Sequence, residues 1–141
     1  MDYSFFIYLA LSIGLWHFND KVLVPRLVEP YLAEPYDAYE KCSPILGSAN
    51  GIGFTLCGGY GRYDRLTGSS VYYLFFSFFI PLIPLKCYRA RELDGSGRQR
   101  QYCIFGHESW RFGEIVVVYV SAIAWLGGVL SVLAIILQWL D

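Results

Sequence analysis

The chain of 141 residues is short of charge: Asp, Glu, Lys and Arg make up 16% of it, against 55% hydrophobic and 18% aromatic residues. Soluble domains sit near about 25% charged, so this surface is expected to be solvated partly by lipid. Paired cysteines are missing as well. Cys42, Cys57, Cys87 and Cys103 lie 15, 30 and 16 residues apart. That spacing fits no zinc site and leaves them as small buried hydrophobes. A net charge of −1 with no Lys/Arg-rich run gives no reason to expect a nucleic-acid partner. No nucleophile–base pair and no paired intramembrane carboxylates stand out. Gly51 and Gly53 imitate the start of a dinucleotide fingerprint, but no Gly-Lys-Ser/Thr follows. Gly58, Gly59 and Gly61 are instead expected to make turns and bulges around a strand at 52–57. Neither a cofactor nor an enzymatic activity is expected.

What is abundant is long apolar sequence. Residues 115–140, "IVVVYVSAIAWLGGVLSVLAIILQWL", carry no charge. As a helix they reach about 39 Å, enough to cross a hydrocarbon core of about 30 Å, with Trp139 placed for the aromatic belt. Residues 3–18, "YSFFIYLALSIGLWHF", are shorter, and extension through Val24 makes an uncleaved span, since no basic start or small-residue cleavage site marks a signal peptide. The third apolar run, Val71 to Leu85, is broken by Pro81 and Pro84 and is rich in Val, Tyr, Phe and Ile, which favours a buried strand. Charge agrees. All eleven Lys and Arg residues lie between positions 21 and 111, and the outer tails carry only Asp2 and Asp141. A two-span hairpin therefore puts every basic residue on one face, which the positive-inside rule assigns to the cytoplasm.

The expected layout is membrane α+β: two transmembrane helices in hairpin topology flanking a small, mostly antiparallel β domain. Its segments are a first span at 1–24, a Pro/Tyr-rich linker at 25–45, a cytoplasmic-side β domain at 46–112 and a second span at 113–141. Both termini then face the opposite side of what is expected to be a bacterial inner membrane. The linker repeats Glu-Pro-Tyr at 29–31 and 34–36, and Tyr31, Tyr36 and Tyr39 suit either headgroup level or packing. Within the β domain, "DGSG" at 94–97 predicts a hairpin turn. Pairing Glu92 with Arg98 and Tyr88 with Tyr102 avoids setting Arg91 against Arg100, and it makes Cys87 and Cys103 a cross-strand pair, reduced in the cytoplasm. Lys86, Arg89, Arg91, Arg98, Arg100 and Arg111 form a basic set before the second span, suited to anionic lipid headgroups.

The sequence "YGRYD" at 60–64 followed by "YYLFFSFFIPLIPLKCYR" at 72–89 resembles a segment of small bacterial membrane proteins of uncharacterised function. Its "FFIPLIP" core is also similar to a strand of small zinc-ribbon proteins, which carry C-x-x-C pairs that are absent here. The resemblance spans about residues 51–90 and implies a strand at Val71–Ile80, with neither zinc nor an activity.

In the second span Ala124, Gly127, Ser131 and Ala134 make a stripe of small residues beside Gly128, and the first span carries Ala10 and Gly14 four apart. Small residues let helices approach closely in lipid, either within the chain or against another subunit. The expected function is that of a non-enzymatic accessory subunit, docked by its helices and β domain to other integral membrane proteins in a hetero-complex. Two alternatives are a membrane-anchored binding or immunity protein that blocks a membrane-acting partner, and a metal or haem carrier using His17 and His107.

Overall fold

The computed structural model describes residues 3–32, 41–44, 48–49, 52–93 and 101–140, with 41–44, 48–49 and 101 described through their backbone. Helix α1 spans Ser4–Phe18 and runs into a π turn at Asn19–Leu23 and a short helix α2 at Val24–Leu27. The π turn has a local cause. Pro25 has no N–H for the carbonyl four residues back, and its ring crowds that carbonyl, so the helix is widened just before it.

Six strands follow: β1 at Lys41–Pro44, β2 at Ser48–Ala49, β3 at Ile52–Gly58, β4 at Ser70–Phe78, β5 at Ile80–Leu93 and β6 at Gln101–His107. They make one antiparallel sheet in the order β1-β6-β5-β4-β3-β2. Four substantial strands, β3 to β6, form a meander, and the two short ones are its edges. Helix α3, Phe112–Leu140, closes the chain.

The inner face of the sheet is built by alternation along β4. Val71, Tyr73 and Phe75 point one way and are joined by Cys87 from β5, and the first turns of α3 cover them with Ile115 and Val118. Tyr119 sets its ring edge-on to Phe75 at 5.7 Å. Past these turns α3 leaves the sheet and lies antiparallel along α1: Asn19 meets Val117 and Ser121, whereas Ser12 meets Gly127.

Among the described residues α3 is the one helix long and apolar enough to cross a membrane. Only 11% of its most apolar 18-residue window is buried, unlike the core helix of a soluble domain. Helix α1, at 15 residues, is shorter than the roughly 20 a spanning helix needs.

The structure corrects several expectations. The apolar run is two strands, not one: the chain reverses at Phe79, between β4 and β5. Lys41–Pro44, expected in the linker, is an edge strand on β6. Strands β5 and β6 do form the expected hairpin, but Glu92 lies opposite Tyr102, and Tyr88 opposite His107. The Cys87–Cys103 pair does not exist. Cys103 lies opposite Arg91 on one side and Cys42 on the other and is disulfide-bonded, whereas Cys87 sits across from Tyr73 as a buried free thiol. The last described pair, Leu93 opposite Gln101, is four positions from the Gly97 that the expected register sets across from Leu93. From Ala90 to Leu93 the offset from the expected register is four, so those side chains keep their face while their partners change, and a bulge between Arg89 and Ala90 makes it five at Tyr88.

Candidate functional site

Where α3 begins, polar side chains converge in an otherwise apolar interior. Glu114 stands in the first turn of α3 and is buried. Its carboxylate receives Arg62 Nε and Nη2, each at 2.6 Å, one on each oxygen. Such a two-pronged guanidinium–carboxylate contact is both strong and directional. Tyr73 Oη, projecting from the centre of β4, donates to the same carboxylate at 2.7 Å and accepts from Arg62 Nη2 at 3.1 Å and from the Arg111 amide at 3.0 Å. Arg62 Nη2 also donates to the Ser109 carbonyl at 3.1 Å. Arg62 itself sits in a left-handed backbone conformation, φ 48°, held by the hydrogen bond its backbone N–H donates to the Glu29 carbonyl. Gly61 lets that loop come so close, because a side-chain carbon there would lie 2.5 Å from the Glu29 carbonyl oxygen.

The electrostatics follow from burial. Burial alone would lower the basicity of Arg62, but its hydrogen bonds and charge contact with Glu114 outweigh that and raise it. Burial first, and donation to Glu114 second, push the Tyr73 hydroxyl well above its ordinary range. Burial raises the Cys87 thiol to about 11, with the nearby Arg62 charge opposing only in part. A thiol so protonated is a poor nucleophile at neutral pH.

The neighbouring cavity, lined by Val28, Val71 and the loop of Gly58 to Gly61, leaves about 10 Å³ for the centre of a water molecule. That admits about one water and no substrate. As built, the cluster is a lock between sheet and helix.

A second cluster stands beside it. Arg89 on β5 is buried and pairs with Glu108 at 2.8 Å, with Asp64 at 3.7 Å. Asp64 also accepts from the Leu66 amide at 2.9 Å and the Thr67 hydroxyl at 2.8 Å. These bonds, with the charge of Arg89, overcome the effect of burial and hold the Asp64 pKa below its ordinary 3.8.

The expected basic face is therefore dispersed. Arg89 is buried in this network, Arg111 pairs with Glu29 at 2.5 Å and Arg91 donates to the Thr67 carbonyl, so among the described members of the set only Lys86 is freely exposed. Arg98 and Arg100 lie outside the described residues, as do Tyr36 and Tyr39. Tyr31 is a packing contact: it bridges to Tyr63 and carries Arg65 over its ring at 4.7 Å.

His17 is exposed on α1, and His107 stacks on Tyr88 at 4.9 Å. Among the described residues no three His, Cys, Asp or Glu side chains gather as a metal site. Of the glycines suspected of a phosphate loop, Gly51 lies outside the described residues, Gly53 and Gly58 lie in β3 and Gly59 and Gly61 follow it, and among the described residues no helix opens behind them.

The small-residue stripe divides. Ala124 and Ser131 are buried, Gly127 faces Ser12 and Ala134 is half-buried, whereas Gly14 and Gly128 have open space beside them and Ala10 is exposed.

Glu114, Arg62, Tyr73 and Ser109 escape sequence reasoning. One sign of them was present: an acidic residue just ahead of a long uncharged run, in "FGEIVVV", needs a partner. Arg62 lies inside the "YGRYD" segment that carries the resemblance. No protein-family model, curated protein or solved structure matches this chain.

Proposed function

We propose that the chain is a membrane-anchored accessory subunit, which holds its β-sheet at a fixed attitude to the bilayer for a larger membrane complex to dock on. In this reading α3 is one span, and α1 continued to Leu27, 24 helical residues in all, is the second. The observation that carries it is the Arg62–Glu114–Tyr73 lock. A flexible tether would serve an anchored enzyme or receptor, but here buried charge ties the sheet rigidly to the head of the helix. The open face of Ala10 and Gly14 on α1 supplies a helix surface for a neighbour.

The sheet is assigned to the cytoplasmic side by the basic flanks, since Lys21, Arg26 and Arg111 lie close to the spans and the tails have no basic residue. In a reducing compartment the disulfide at Cys103 opens, and the β1–β6 ladder still holds that edge.

The test is native mass spectrometry of the tagged chain, extracted from its own membranes in mild detergent. The expected result is discrete heavier complexes of fixed stoichiometry with other membrane proteins. A bare monomer under progressively gentler extraction overturns the subunit reading, and a small added mass equal to haem or a metal replaces it with the carrier reading.

A further inference from the structure

The position of the sheet along α3 says how deep it reaches, on the reading of α3 as a membrane span. The uncharged stretch from Ile115 to Leu140 is about 39 Å long, roughly 9 Å more than the hydrocarbon core. That surplus is about six residues, and the first turns after Glu114 are the ones packed on the sheet, through Ile115, Val118 and Tyr119. A second marker agrees. Asn19 bonds to Val117 and Ser121, and the next two residues, Asp20 and Lys21, form an exposed ion pair at 3.0 Å. Both observations put the edge of the hydrocarbon near Ser121.

The β4–β5 hairpin crosses that level. Tyr73 meets Glu114 and Phe75 meets Tyr119, so β4 runs in the same sense as α3. Tyr119 also donates to the Leu82 carbonyl at 2.5 Å. Beyond Phe75, β4 continues for four residues to the reversal at Phe79, about 13 Å of strand. Its tip therefore lies on the lipid side of Ser121.

The side chains suit that place. No charged residue occurs from Val71 to Leu85. Phe78 is 51% exposed, Phe79 63% and Ile83 55%, and exposed Phe54 and Phe76 pair edge-on beside them at 5.9 Å. A contiguous apolar patch of this kind marks an interaction surface.

The backbone suits it too. Strand β6 accompanies β5 only from Tyr88 onward, so among the described residues no strand pairs with the outer edge of 80–87. Open edges are costly in lipid because unpaired amides stay unsatisfied. Pro81 and Pro84 stand in this segment and carry no amide hydrogen. Exposed Lys86 follows at once, where the chain returns to water.

We propose that the tip of the β4–β5 hairpin is a membrane wedge, inserted among the acyl chains of the leaflet on the sheet's own side. It gives the sheet a hold on lipid separate from the helices.

Nitroxide labels test this in the full-length chain, reconstituted in vesicles of phosphatidylcholine and phosphatidylglycerol in equal parts. Labels go on Phe78→Cys and Ile83→Cys at the tip, on Leu66→Cys in the turn before β4, and on Leu130→Cys in α3, with the unsubstituted chain as background. Collision with dissolved oxygen reports lipid, and collision with a nickel chelate reports water. The wedge predicts an oxygen-to-nickel ratio at 78 and 83 several-fold above that at 66 and close to that at 130. A ratio at 78 and 83 equal to that at 66, with 130 still in lipid, overturns the wedge and leaves the span standing. Labels at 78 and 83 shielded from both probes overturn it in favour of a protein neighbour. A water-exposed label at 130 removes the span itself and the wedge with it.

Discussion

Glu114 bears most of the consequence among single residues, because two buried donors depend on its carboxylate. Glu114→Ala leaves the Arg62 guanidinium charged, buried and unpaired, and losses of this kind run to about 3–5 kcal/mol. Thermal unfolding in detergent should register it as a marked fall in Tm. The double variant Arg62→Met with Glu114→Leu should recover much of the loss, because an apolar pair of similar volume needs no desolvation of charge. A Tm for the double variant as low as that of Glu114→Ala would mean the pair's geometry, and not its charge balance, holds the junction. Two other groups set the pH limits. Asp64 has a lowered folded value, so the unfolded chain binds more protons as pH falls. Its contribution is complete above the ordinary 3.8 and is lost progressively below it. Asp64→Asn should flatten that acid limb of an unfolding titration. Cys87 behaves in the opposite sense. Its thiol stays protonated in the fold to about 11 but ionises from about 9 when unfolded, so stability declines as pH rises through that interval. Cys87→Ala should remove its share of the decline, read by the same titration at alkaline pH. Little of this is legible in sequence, since Arg62 and Glu114 are 52 positions apart and nothing local ties them.

Among the elements, α3 and the existence of a β5–β6 hairpin are readable from the chain, because an uncharged apolar run and an Asp-Gly turn are local features. The reversal at Phe79 is not. A hairpin turn ordinarily announces itself by glycine or asparagine, and here it passes through a phenylalanine at φ 60° inside an apolar run. The expected β5–β6 register rests on cross-strand partners (Glu92 with Arg98, Tyr88 with Tyr102, and Arg91 kept from Arg100), each worth at most about 1 kcal/mol. The seating of Ala90, Tyr102, Cys103 and Phe105 in the interior has far more at stake. The helix pair supports a sharper expectation. A side-chain carbon at Gly127 falls 2.6 Å from Ser12 Oγ, whereas Gly14 has nothing within 4 Å. Gly127→Leu should force α1 and α3 apart and lower Tm. Gly14→Leu should leave the isolated chain's Tm unchanged and abolish the heavier complexes that the proposed subunit role predicts in native mass spectrometry. If Gly14→Leu leaves those complexes intact, the partner docks elsewhere.

On the scale of the whole molecule, the long apolar helix α3, the sheet and the paired helix α1 meet at one junction instead of following one another as beads. The order of synthesis then acquires a meaning. The β1 strand at 41–44 cannot pair until β6 at 101–104 has been made, and α3, which covers Val71, Tyr73 and Phe75, is made after all six strands. A ribosome adding about 5–20 residues each second leaves the sheet complete but bare on its inner face until Ile115 to Tyr119 emerge. For that interval Arg62 and Tyr73 have no carboxylate to receive them, and a chain broken off before Glu114 never obtains one. A product truncated ahead of Glu114 lacks the carboxylate that Arg62 and Tyr73 require, and limited proteolysis should cut it faster than the 141-residue chain.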